Sequence, residues 1–101
     1  MSDIYIEADG DHYTVDARGH AATVELCAAI SALLYMLCGW LHNEDGVELV
    51  TERMEPGNAR LEWRGGAGSR TALKMILCGF LNLQASAKDY ISVAVCADAE
   101  F

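Results

Sequence analysis

Residues 26–41 form a run of sixteen without a single charge, and no other feature narrows the possible folds as much. Thr23 stands where a helix N-cap would, and Glu25 falls in the first turn, where the positive end of the helix dipole favours an acid. The spacing predicts a helix from there to about His42-Asn43. Its apolar residues occupy nearly the whole circumference. A helix of that kind is covered on more than one side, so it is expected either at the centre of the fold or in an interface between two copies. Sixteen residues fall short of the roughly 20 needed to span a bilayer, and Ser31 and Gly39 interrupt the run. The opening residues, Met1-Ser2-Asp3-Ile4-Tyr5, carry neither the basic nor the apolar segment of a signal peptide. The expectation is a core helix in a cytoplasmic protein, with no membrane partner.

The remaining segments alternate between two periodicities. Residues 4–7 read as a strand, and Asp9-Gly10-Asp11 as a hairpin turn. Residues 12–18 place Tyr13, Val15 and Ala17 on one face, the pattern of a half-buried strand ended by Gly19. Residues 47–54 and 59–64 are two further strands, joined by Glu55-Pro56-Gly57-Asn58 with proline and glycine where a type II turn requires them. Gly65-Gly66-Ala67-Gly68 reads as a flexible link. A second helix starts at Ser69, carries Leu73, Ile76, Leu77, Phe80 and Leu81 at core spacing, and ends near Ala87-Lys88. Residues 90–97 are a last strand with β-branched Ile91, Val93 and Val95. The order ββαββαβ predicts an α+β fold in two layers, a mostly antiparallel sheet carrying two helices. The 101 residues make one domain, residues 1–101, and 52% apolar content with a single proline argues for a packed core over disorder.

The formal net charge is −8, which repels phosphate backbones and makes a basic protein or peptide the favoured partner and nucleic acid an unfavoured one. Glu44, Asp45, Glu48, Glu52 and Glu55 gather around the third strand as a solvated acidic face able to attract such a segment. His12 and His42 read as solvated surface residues, and Trp40 and Trp63 as core or interface anchors. The cysteines are Cys27, Cys38, Cys78 and Cys96. They form no CxxC pair, and no His/Cys cluster resembles a zinc site, so no metal and no cofactor is expected. Three of them sit in apolar runs, where cysteine packs as a small hydrophobe, and reduced thiols suit a cytoplasm.

One pair of residues carries chemistry. His20 lies at the end of the second strand, and Cys27 in the first or second turn of the helix that follows. Backbone N–H groups at a helix start favour a thiolate and can hold an oxyanion. Six intervening residues allow the imidazole to fold back onto the thiol, giving a base and a nucleophile for attack on a peptide carbonyl. The same cysteine, flanked by Leu26, Ala28, Ala29 and Ile30, also has the surroundings of a buried inert thiol. Ser31, one turn after Cys27, either points toward the same site or bonds its own backbone carbonyl.

Gly19-His20-Ala21 followed by Val24-Glu25-Leu26-Cys27-Ala28-Ala29-Ile30-Ser31 resembles the paired Gly-His-Ala and Asp-Ile-Val-Cys-Ala-Ala-Val-Ser motifs of the ribosomal-processing cysteine protease family, Prp. The Leu77-Cys78-Gly79-Phe80-Leu81 and Tyr90-Ile91-Ser92-Val93 segments, the length and the element order extend the likeness more weakly. The resemblance implies a thiol protease, a metal-free homodimer that removes an N-terminal extension from a ribosomal protein or, in phage relatives, processes capsid or scaffold protein. It places the catalytic histidine on His20, the nucleophile on Cys27 and a supporting serine on Ser31. The chain departs from the family between His20 and Cys27: the linker is only residues 21–26, it lacks the family's glycine, and Val24 stands where the family has an aspartate. Glu25 is one residue out of register, about 100° around the helix. The shortened linker suits either a protease with an altered grip on its substrate or an inactive paralogue serving as a dimeric protein-interaction module.

Overall fold

A computed structural model describes residues 1–98 and Phe101. The elements are β1 (Ser2–Asp9), β2 (His12–Arg18), α1 (Val24–Asn43), β3 (Val47–Glu55), β4 (Asn58–Gly65), α2 (Ser69–Ser86) and β5 (Ile91–Ala97). The order is the ββαββαβ expected, and the fold is α+β. The five strands form one sheet in the order β3-β4-β2-β1-β5. Three pairings are antiparallel, and β5 runs parallel to β1, with Ser2 opposite Ile91.

Strand alternation sets the two faces of the sheet. Ile4, Ile6 and Ala8 of β1 pair with Ala17, Val15 and Tyr13 of β2, and these pair in turn with Ala59, Leu61 and Trp63 of β4. All nine are buried. The opposite face carries Asp16, Arg18, Arg60 and Glu62, linked by ion pairs of 3.0–3.6 Å. His12 belongs to that lattice: its Nε2 lies 2.6 Å from Glu62, and the residue is half-buried, not freely solvated as its position in the sequence suggests. The His12 contact, with Thr51 and Arg60, holds the Glu62 carboxyl below the usual range.

Among the described residues the strand register is interrupted in β3. The register slips between Leu49 and Thr51, and Val50 is the extra residue. Leu49 faces Trp63 before the bulge, and Glu52 and Met54 face Leu61 and Ala59 after it. The bulge lets the apolar residues at both ends of the strand meet the core. It also turns Glu52 toward α1, out of the acidic face to which its neighbours belong.

α1 buries a single stripe, Ile30, Leu34, Leu37 and Leu41. Full burial of one such leucine contributes about 1.5–3 kcal/mol. Leu26, Cys27, Leu33, Cys38 and Trp40 flank the stripe, partly buried against the core, while Val24, Tyr35 and Met36 are exposed. The helix is therefore not central, as one of the two expectations had it, because the sheet and α2 reach only one side. By length and composition alone α1 also passes as a membrane span, but its buried stripe packs into a core shared with the sheet and α2.

α2 buries Ser69, Leu73, Ile76 and Phe80. Leu81, expected in the core, is exposed, since it lies about 100° past Phe80. The two helices approach closely at Gly79, where an added Cβ would stand 2.8 Å from Leu33 Cδ2. The glycine-rich link before α2 is packed and not loose. Gly68 lies against Trp40, and Ser69 N–H bonds the Gly66 carbonyl at 3.1 Å. Trp63 donates its indole N–H to Ser69 Oγ at 2.9 Å, and Ser69 donates its hydroxyl to the Gly65 carbonyl at 2.6 Å.

Candidate active site

The sheet order decides what surrounds the end of β2. Because β4 lies beside β2, with Asn58 opposite Arg18, the β3–β4 turn is brought next to the chain leaving β2. Gly19 makes that exit. Its φ is +86°, and a Cβ there would stand 2.4 Å from the Met1 carbonyl oxygen, so a side chain is excluded by both backbone and space. Gly19 N–H donates to the Gly57 carbonyl at 2.9 Å, which ties the strand exit to the turn. His20 follows, exposed, with its ring against Gly57.

The chain then reaches α1 through a buried Ala21 and the N-cap Thr23. Thr23 Oγ1 accepts from Leu26 N–H at 3.1 Å, as the sequence predicts for a cap. Cys27 is the fourth residue of the helix. Its own N–H is taken by the Thr23 carbonyl at 3.1 Å, so it is not among the unpaired amides expected to face an oxyanion. Its thiol turns back toward the loop and donates to the Ala21 carbonyl at 3.5 Å.

His20 and Cys27 line one cleft of about 180 Å³. α1 supplies one wall through Cys27, Ile30, Ser31, Leu34 and Tyr35, and Met54 to Asn58 of the β3–β4 turn supply the other. Ala17 and Ala59 lie between the walls. Ser31 is among the residues that line the cleft. Among the described residues its hydroxyl makes no bond to the carbonyl one turn back, in contrast to Ser86, which bonds Asn82 and Leu83 carbonyls at 3.2 Å. No hydrogen bond joins His20 to Cys27 among the described residues; the imidazole rests on Gly57 while the thiol rests on Ala21. Val24 is 82% exposed and Glu25 is exposed, both outside the cleft lining.

Sequence reading did not assign Glu55, Pro56, Gly57 and Asn58 to this site. They read as an ordinary connecting turn, and only the pairing of β4 with β2 brings them beside His20. The thiols also differ from expectation. All four are free, but Cys78 and Cys96 are exposed, and Cys27 and Cys38 are half-buried, so none packs as a fully buried hydrophobe.

No family model and no curated protein matches the sequence. Solved structures do match in three dimensions. The essential ribosomal processing protease Prp from S. aureus in complex with a covalently linked product peptide superposes with a TM-score of 0.77, at 15% identity over 94% of this chain and 99% of that one. The same protease with a substrate peptide gives 0.68, again at 15% identity, 94% and 99%. SMU.848 from Streptococcus mutans gives 0.71 at 15% identity, covering 97% and 99%. The chain has a Prp-like fold. Identity this low establishes fold and not activity.

Proposed function

We propose that the cleft between α1 and the β3–β4 turn is the active site of a Prp-like cysteine endopeptidase, with Cys27 as nucleophile and His20 as general base. One observation carries the proposal: the only histidine and the only cysteine that the family resemblance singles out line the same cleft, in a fold shared with a protease solved with a peptide bound. In the reaction, Cys27 leaves the Ala21 carbonyl and gives its proton to His20. The thiolate attacks the peptide carbonyl carbon, the C–N bond breaks, and His20 returns the proton to the leaving amine. A water molecule then gives a proton to His20 and its oxygen attacks the thioester carbon; the C–S bond breaks, and His20 returns the proton to the departing Cys27 sulfur. Ser31 supports the site from the next turn of α1.

The substrate is a basic segment. Net charge of −8 and Glu55 in the cleft wall favour cationic side chains, as in the N-terminal extension of a ribosomal protein or a phage structural protein. Homodimerisation in a cytoplasm fits the same reading, with the uncovered apolar side of α1 at the interface; a monodisperse monomer in solution would count against it. A second reading, a non-catalytic dimeric interaction module, draws on the separate resting places of imidazole and thiol and on the short 21–26 linker.

Alkylation separates the two. A protease requires Cys27 to react faster near neutral pH than the partly buried Cys38 and the exposed Cys78 and Cys96, and His20→Ala to slow it. Uniform slow labelling excludes the enzyme. Cleavage of basic N-terminal extension peptides, abolished by Cys27→Ala, then identifies the substrate.

A further inference from the structure

One turn of α1 beyond the cleft wall formed by Leu34 and Tyr35, the C-terminal half of α1 meets β3 through three side chains of different ligand type. Cys38 and His42 are four residues apart and share one face of the helix. Glu52 rises from β3 to meet them because of the bulge at Val50. His42 Nε2 bonds Glu52 Oε1, and Cys38 Sγ donates to the same oxygen at 3.5 Å. A ligand atom of each lies within 4.8 Å of the other two.

We propose that Cys38, His42 and Glu52 form a binding site for a divalent transition metal, zinc in the first place. A thiolate, an imidazole and a carboxylate make a donor set suited to borderline-soft Zn²⁺, and bonds of about 2.0–2.3 Å place tetrahedral donors about 3.3–3.8 Å apart. The Cys38–Glu52 separation already falls in that range. His42 and Glu52, now in direct contact, need only part to admit the ion, and both are exposed enough to do so, at 52% and 38%. The last turn of α1 adds the partial negative charge of its carbonyls. Three protein ligands leave a fourth position open to water. A thiol gives up its proton to bind the ion: the S–H bond is exchanged for Zn–S, and the proton passes to solvent.

This site is distinct from the proposed active site. Cys38 lies eleven residues beyond Cys27, about 16 Å along the helix axis. An ion there would clamp the end of α1 to β3, the strand that leads into the cleft-lining turn.

The test uses the reduced full chain, stripped with chelator and titrated with Co²⁺ as a spectroscopic stand-in. The expected result is a tetrahedral cobalt spectrum with a thiolate charge-transfer band, saturating at one equivalent and bleached by Zn²⁺. Cys38→Ser removes the charge-transfer band, Cys27→Ser keeps it, and His42→Gln or Glu52→Gln weakens binding by at least about tenfold. Absence of tetrahedral cobalt in excess metal overturns the proposal, as does a charge-transfer band that survives Cys38→Ser. Should Cys38→Ser fail to fold, zinc protection of the wild-type thiols from alkylation decides: selective protection of Cys38 over Cys78 supports the site, and equal labelling overturns it.

Discussion

Replacing Gly57 by alanine asks whether His20 is held where it serves Cys27. The new Cβ would stand 2.5 Å from His20 Nε2, 2.7 Å from Cε1 and 3.1 Å from Cδ2. Ordinary non-bonded contact begins near about 3.5 Å, so the ring must retreat by about 1 Å. The turn cannot retreat in its place without breaking the 2.9 Å bond from Gly19 N–H to the Gly57 carbonyl. The backbone adds its own cost. Gly57 has φ +68°, and an alanine held in the left-handed region loses about 1–2 kcal/mol. At about 4–8 °C per kcal/mol for a chain of this size, thermal unfolding should move down by about 4–16 °C. A displacement of about 1 Å costs a catalytic pair about a hundredfold in rate. Iodoacetamide labelling of Cys27, followed by mass spectrometry across neutral pH, reads the second effect. Gly57→Ala should slow Cys27 in the wild-type background and leave it unchanged in His20→Ala, while the loss of thermal stability appears in both. If labelling in the wild-type background does not slow although the melting point falls, His20 does not act on the thiol. If the melting point does not fall either, the strain argument is wrong.

Three further outcomes follow from the packing. Ser69→Ala leaves the Trp63 indole N–H unpaired at a fully buried position and should cost about 1–3 kcal/mol in urea unfolding; an unchanged midpoint would mean the indole has found another acceptor. Thr14 is fully buried, and its Oγ1 has no partner among the described residues, so Thr14→Val should stabilise the chain by about 1 kcal/mol, and a loss of stability would show that the hydroxyl is paired. Glu62 is held below its ordinary range chiefly by the His12 hydrogen bond. Its stabilising contribution is therefore complete above the unfolded carboxylate pKa and is lost as pH falls through the lower, folded one; Glu62→Gln should flatten that acid limb of the stability curve, and an identical limb in both proteins would remove Glu62 from the account.

Much of the architecture could be read from local pattern because local physics sets it. The alternation of Tyr13, Val15 and Ala17, the Thr23 cap and the proline and glycine of the β3–β4 turn each act over a few residues. The uncharged run at residues 26–41 announced a helix, but it could not say which side would be covered. That depended on where the sheet and α2 stopped, and they leave Tyr35 and Met36 in the open. The candidate site divides in the same way. His20 and Cys27 stand close enough in sequence, and in distinctive enough surroundings, to be picked out together. The opposite wall of their cleft, from Met54 to Asn58, comes from a segment about thirty residues away, and no local signal marks it.

Glu52 shows most clearly where sequence ends and tertiary structure begins. In the sequence it is one of five acids around a strand, and strict alternation from Leu49 would turn it away from the core. The bulge at Val50 reverses that, because only an extra residue lets Leu49 and Met54 both meet β4 from the same side. Glu52 then faces Cys38 and His42, and three residues that read separately as surface or filler become one cluster. Local patterns determined the elements, their order and the residues of the candidate pair. The register between strands, a balance of burial summed over the whole sheet, decided which side chains meet.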